Sequence, residues 1–210
     1  MVEEFIAKAK ERISPFPCEG FVAGNGPVSA KILIVGEAPG KTEMKTGEPF
    51  TGSSGRFLDD CFAIAGLTRE DMFITSVVRS RPYKENGQRD RQGNLPNRPP
   101  SKGEIIAHAP LLDMHVQLIQ PEMIITLGNV ALRRLTGMTK NISALHGQLL
   151  HVPLSMYDEN SGHFKMGKKS YTLLPMYHPA AALHNPALKE QIQLDWKQVK
   201  SLRERKSDAK

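Results

Sequence analysis

Three stretches of the chain are apolar without interruption and of strand length: residues 31–35 (KILIV), 72–78 (MFITSVV) and 123–127 (MIITL). Continuous runs, rather than alternating ones, belong to strands buried on both faces, as in a parallel sheet. Between them the apolar positions shift to helical spacing. Phe57, Leu58, Cys61, Phe62 and Ala65 predict a helix over 52–66 stopped by Gly66. Residues 102–120 predict a second, stopped by Pro121, and a short third over 129–135 opens at Asn129. Phe5, Ile6, Ala9 and Ile13 mark an N-terminal helix over 2–13, succeeded by coil over 14–27 with three prolines and three glycines. Residues 148–154 and 170–176 alternate on either side of a polar tip, YDENSGHFKMGKK, which predicts a hairpin whose second arm enters the sheet. A last helix spans 187–202, and 203–210 read as a loose tail. This alternation predicts a single domain over 1–210, core about 24–202: a three-layer α/β/α sandwich around a mainly parallel four-stranded sheet. Ligands bind such sheets outside the carboxyl ends of the strands. The loops that matter are therefore GEAPG…PF, SVVRSRP, LGN and YHPAAALHNP.

Composition adds a partner class. Of 210 residues, 40 % are apolar and 24 % charged, the balance of a globular domain. Twenty-eight basic residues against 22 acidic give +6, and +5 of it lies between Arg79 and Lys102. Concentrated positive charge predicts a polyanionic partner. Cys18 and Cys61 are the two cysteines, too few for a disulfide framework, a four-thiolate zinc site or an all-cysteine iron–sulfur site. The amphipathic N-terminus and the lack of an apolar run near 18 residues predict neither leader nor membrane span, hence a cytoplasmic protein with no membrane partner, expected to be a monomer. No clustered ligands predict a metal.

GEAPGKT after a buried strand is a near miss for a phosphate-binding loop. That motif needs four residues between its glycines and opens directly into a helix; here Gly36 and Gly40 enclose three, and Gly47, Pro49 and Gly52 interrupt the segment beyond. Both departures argue against a nucleotide triphosphatase.

The whole segment GEAPGKTEMKTGEPFTGSSGRFLD resembles the first motif of the uracil-DNA glycosylase superfamily, closest to its family 4. SVVRSRP is similar to that family's middle motif, and YHPAAALHNPAL to its histidine–proline motif before the last helix, in the same order over roughly 24–200. The resemblance implies a monofunctional DNA glycosylase that flips uracil or a related deaminated base out of DNA and hydrolyses its N-glycosidic bond. It implies Glu37 and His178 as catalytic residues: a carboxylate for the water or the cationic sugar, and a donor to the leaving base. Ala38, Phe50 and Ser76 would hold the base, with Phe50 stacking on it. Arg79, Arg81 and Pro82 would grip DNA phosphates, and the turn at Pro179 would carry the wedge, Ala182 or Leu183, that fills the vacated position.

The chain departs from the family at two places. Family 4 carries an iron–sulfur cluster on four cysteines, but Ser80 and His108 stand at two of those positions and Cys18 lacks its companion, so no cluster is expected. The family's middle motif opens with a base-reading Asn; here the position is Ser76, whose single hydroxyl cannot reproduce the paired geometry of an amide. That substitution also motivates an alternative, a non-catalytic nucleic-acid-binding protein on the same fold, against which Glu37 and His178 both speak.

Overall fold

The computed structural model describes residues 1–207, with side chains to 202. In chain order its elements are helix α1 (Val2–Ile13), strands β1 (Cys18–Glu19) and β2 (Ile32–Gly36), helices α2 (Lys41–Thr46) and α3 (Ser53–Ile64), strands β3 (Met72–Ser76) and β4 (Arg81–Pro82), helix α4 (Lys102–Ile119), strand β5 (Met123–Leu127), helices α5 (Gly128–Thr136) and α6 (Ile142–Leu145), strands β6 (Leu150–Asp158) and β7 (His163–Met176), and helices α7 (Ala180–His184) and α8 (Ala187–Ser207). The predicted three-layer sandwich is present. Helix α8 continues to Ser207 where a tail was expected from 203, and 208–210 lie outside the described residues.

The main sheet has the order β3-β2-β5-β7-β6, with the first four strands parallel. Alternate side chains of the buried strands supply two cores. Ile32, Ile34, Ile74, Ile125 and Leu174 pack under α3 and α8 around Phe62 and Trp196. Leu33, Val35, Phe73, Ile124 and Leu173 pack under α4 and α5. Register brings the carboxyl ends level: Gly36 pairs with Ser76, Val35 with Thr126, and Leu127 with Met176. The residues leaving those four strands therefore emerge side by side.

A fifth strand corrects the expected four. The first hairpin arm, β6, joins the sheet as an antiparallel edge, and the strands extend until only 159–162 remain as the tip. Pairing persists through the polar stretch because it alternates, with Tyr157 opposite Phe164 and their rings 5.3 Å apart. A buried ion pair fastens the hairpin. Arg134 on α5 meets Asp113 on α4 at 2.6 Å and donates to the Ser155 carbonyl, while the other Asp113 oxygen accepts from the Tyr157 N–H at 2.7 Å. The opposite edge is covered by the N-terminal coil, where Asn25 and Ile74 exchange backbone hydrogen bonds. That approach requires glycine: a Cβ on Gly26 would lie 2.2 Å from the Met72 carbonyl oxygen.

Removing one member of a buried ion pair strands the other. Asp113→Ala is expected to lower stability by about 3–5 kcal/mol in denaturant unfolding, and pairing it with Arg134→Met to recover most of that loss.

Candidate active site

The loop after β2 is folded by a residue that sequence reasoning passed over. Glu43, on α2 and buried, accepts from Gly40 N–H through one carboxylate oxygen at 3.0 Å. Its other oxygen accepts from Thr51 and Gly52 N–H, each at 2.9 Å. Three N–H groups from both ends of a turn thus converge on one carboxylate. The legible signal was its spacing, Glu three residues after the Gly40 that starts α2.

That fold-back delivers Phe50. Its backbone has φ +55°, a left-handed conformation unfavourable for a bulky residue. Arg69 holds it there, donating to the Phe50 carbonyl at 2.5 Å and the Pro49 carbonyl at 2.9 Å while paired with Asp59. The ring lies on Gly36: a Cβ there would come 2.5 Å from Cζ. Its other neighbour is His178, with ring centroids 5.7 Å apart.

His178 leaves β7 beside the start of α5. Its Nδ1 accepts from the Ala180 N–H at 3.2 Å, which places the ring proton on Nε2. Burial pushes its pKa down to about 4 against the opposing pull of the Glu43 carboxylate, so the ring is neutral at physiological pH. Glu37 stands on the same loop as Gly40, and burial pushes its carboxyl above the ordinary value. Glu37, Ala38, Phe50, Ser76, Pro82 and His178 all line one cavity of about 490 Å³ at the carboxyl ends of the strands. Ser76 is buried there and donates its hydroxyl proton to the Val78 carbonyl at 2.7 Å. Ala180, His184, Asn97 and Arg98 also line the cavity and were not anticipated.

Three expected DNA contacts are corrected. Arg79 is fully buried, donating to the Ala23 carbonyl and facing His115 Nδ1, both at 3.2 Å, and burial depresses its pKa. Arg81 is buried as well, ion-paired with Glu19 and bonded to the Leu95 carbonyl and to Asn97 Oδ1 at 2.6 Å. Both are tied to the coil of 14–27, Arg79 through Ala23 and Arg81 through Glu19. They brace loops and do not reach phosphate. Ala182 packs into the core under α3 and α8, whereas its neighbour Leu183 is 49 % exposed. Pro179 is buried at the start of α7. Lys84, Arg89, Arg91 and Lys102 are the exposed cations of the basic stretch.

The region of Cys18 is closed by other chemistry. Its thiol donates to Glu104 at 3.4 Å, and both Glu104 oxygens accept from Arg98, at 2.5 and 2.8 Å. Phe21 stacks on buried His108 with centroids 5.9 Å apart, and Ser80, between Arg79 and Arg81, is buried too. Cys61 lies in the other core, beneath α3.

A family model described as the uracil DNA glycosylase superfamily matches residues 23–200. Proteins named type-4 uracil-DNA glycosylase are similar along most of their lengths. The one from Sulfurisphaera tokodaii is 35 % identical over 202 residues, 95 % of this chain and 82 % of its own. That of Saccharolobus solfataricus is 34 % identical over 184 residues, 85 % and 74 % of the two chains. That of Archaeoglobus fulgidus is 32 % identical over 186 residues, 87 % and 81 %.

Glu43→Gln retains one acceptor oxygen but turns an amide NH₂ on a backbone N–H. It is expected to cost about 1–3 kcal/mol in thermal unfolding, the penalty of a buried donor left without an acceptor.

Proposed function

The chain belongs to the uracil DNA glycosylase superfamily, and from that premise we propose that it hydrolyses the N-glycosidic bond of uracil in DNA as a monofunctional repair glycosylase. The observation that carries this reading is the meeting of Phe50, His178 and Glu37 in one cavity. A base leaves the stack at a cost of a few kcal/mol, and stacking on an aromatic ring recovers about 1–3 of it. Phe50 is that ring. The exposed Leu183 beside the cavity is the wedge that occupies the vacated position.

As the glycosidic bond breaks, negative charge develops on the base and positive charge on the sugar. His178 Nε2–H donates to the base carbonyl next to the broken bond, where a hydrogen bond gains strength as charge arrives. The Ala180 N–H on Nδ1 keeps the proton on the required nitrogen. Glu37, ionised, stabilises the sugar cation and orients the attacking water. No lysine lines the cavity among the described residues, in keeping with water as nucleophile and no lyase step. Pro82 borders the cavity, and the exposed cations of the basic stretch face the DNA strand. We propose a monomeric enzyme, and a DNA substrate supports a cytoplasmic, nucleoid-bound location.

The family's iron–sulfur cluster does not fit these residues. Cys18 is engaged by Glu104, Phe21 and His108 fill adjacent space with their stacked rings, and the second thiol is on the far side of the sheet. We propose a glycosylase that holds no cluster, its loops braced by Arg98–Glu104 and Arg81–Glu19 instead.

Single-turnover excision from a labelled uracil oligonucleotide, with alkali to cut abasic sites, tests the reading. His178→Ala and Glu37→Ala are each expected to lose on the order of 10²-fold or more in rate while keeping salt-dependent affinity for DNA. A wild type inert on uracil overturns it. The pH profile carries a second expectation. A cationic donor would lose its proton, and the enzyme its rate, as pH rises through about 6.5. With His178 neutral above about 4, the rate is expected not to fall as pH rises through about 6.5, and to fall on the acid side as Glu37 takes up its proton.

A further inference from the structure

Ser76 has spent its hydroxyl proton on the Val78 carbonyl, so it offers the cavity an acceptor and no donor. Uracil presents the edge remote from the sugar as an N–H at N3 and a carbonyl at C4. An acceptor alone answers only half of it.

A second polar group stands in the same cavity. Asn97 lines it, and its Oδ1 accepts from Arg81 Nε at 2.6 Å. Arg81 is itself immobilised by burial, by Glu19 and by the Leu95 carbonyl. A guanidinium can only donate, so the amide has one permitted orientation, with the oxygen toward Arg81 and the NH₂ turned away. The Asn97 Nδ2 lies 3.7 Å from where a Cβ on Gly40 would sit. It is thus at the Gly40 end of the loop whose Gly36 end carries the Phe50 ring. Its amide donors take no partner among the described residues.

Resting on the glycosylase reading above, we infer that Asn97 is a specificity-determining residue: its Nδ2 donates to the carbonyl oxygen at C4 of the flipped uracil, while Ser76 Oγ accepts from N3–H. Two residues from distant loops thereby present the donor and acceptor that one amide would otherwise supply. Cytosine, with an amino group at C4 and no proton at N3, meets a donor with a donor and an acceptor with an acceptor. Asn97 is exposed in the open cavity, so this mismatch takes effect once an entering base covers it, and a polar edge left unpaired there is what makes a pocket selective.

Asn97→Asp isolates the donor, because the carboxylate still accepts from Arg81. The test compares wild type, Asn97→Asp and Asn97→Ala in thermal melts, in saturating single-turnover excision of uracil and of cytosine, and in binding to an undamaged oligonucleotide. For Asn97→Asp the saturating uracil rate is expected to fall about 10-fold and the uracil-over-cytosine preference to narrow, with binding to undamaged DNA held within about twofold. Weaker binding to undamaged DNA with an unchanged saturating rate would assign the amide to a phosphate and overturn the inference. So would rates and binding that both stay at wild-type values, which would leave Asn97 as a brace for Arg81. Should Asn97→Asp melt early, the same readouts on Asn97→Ala decide. A wild type that leaves uracil untouched overturns the glycosylase reading, and this inference with it; a wild type that excises uracil with Asn97→Asp unaltered overturns the inference alone.

Discussion

Three backbone N–H groups, from Gly40, Thr51 and Gly52, share the carboxylate of Glu43, and through them the loop after β2 closes on itself. That convergence, together with Arg69 on the Phe50 carbonyl, sets Phe50 against Gly36, where its ring meets His178. The sheet contributes the other half of the constraint. Because four parallel strands end level, the loop so closed and the residues leaving β7 face each other across a cavity rather than across the molecule. Fold and site are linked at that point.

Positive charge has two uses in this chain, and they are easily confused. The stretch from Arg79 to Lys102 is the most basic in the sequence, yet its best-placed arginines are interior braces. Arg81 joins β4 to Glu19, and Arg98 joins the end of the same loop to Glu104 at the head of α4. Arg79 lies deeper still, beside His115. A guanidinium in a dry setting bonds several carbonyls and a carboxylate at once, which suits it to pinning irregular backbone. The cations left for a polyanion are the exposed ones between these anchors.

The buried strands, their mainly parallel arrangement and the loops at their carboxyl ends were legible because continuous apolar runs have few other uses in a globular chain. Glu37, Phe50, Ser76 and His178 were legible because each lies in such a loop or at the strand end that opens it, within a motif. The features that stayed hidden depend on partners remote in sequence. The Arg81–Glu19 pair spans 62 residues, and no local pattern announces that 14–27 is tied to Arg79 and Arg81. β6 joined the sheet because Arg134 and Asp113, on two helices, secure its backbone. Ala182 and Leu183 are adjacent and both apolar, so only the packing of α7 separates the buried one from the exposed one.

At Phe50, Arg69 holds a φ of +55° against the preference of any residue with a β-carbon. Such a conformation costs of order 1–3 kcal/mol, and glycine would adopt it freely. Glycine would relieve the turn but would strip a buried ring from the core it shares with Phe57 and Leu58. The same ring closes the core on one side and walls the cavity on the other, so a single strained turn carries both packing and chemistry, and neither can be altered there without the other.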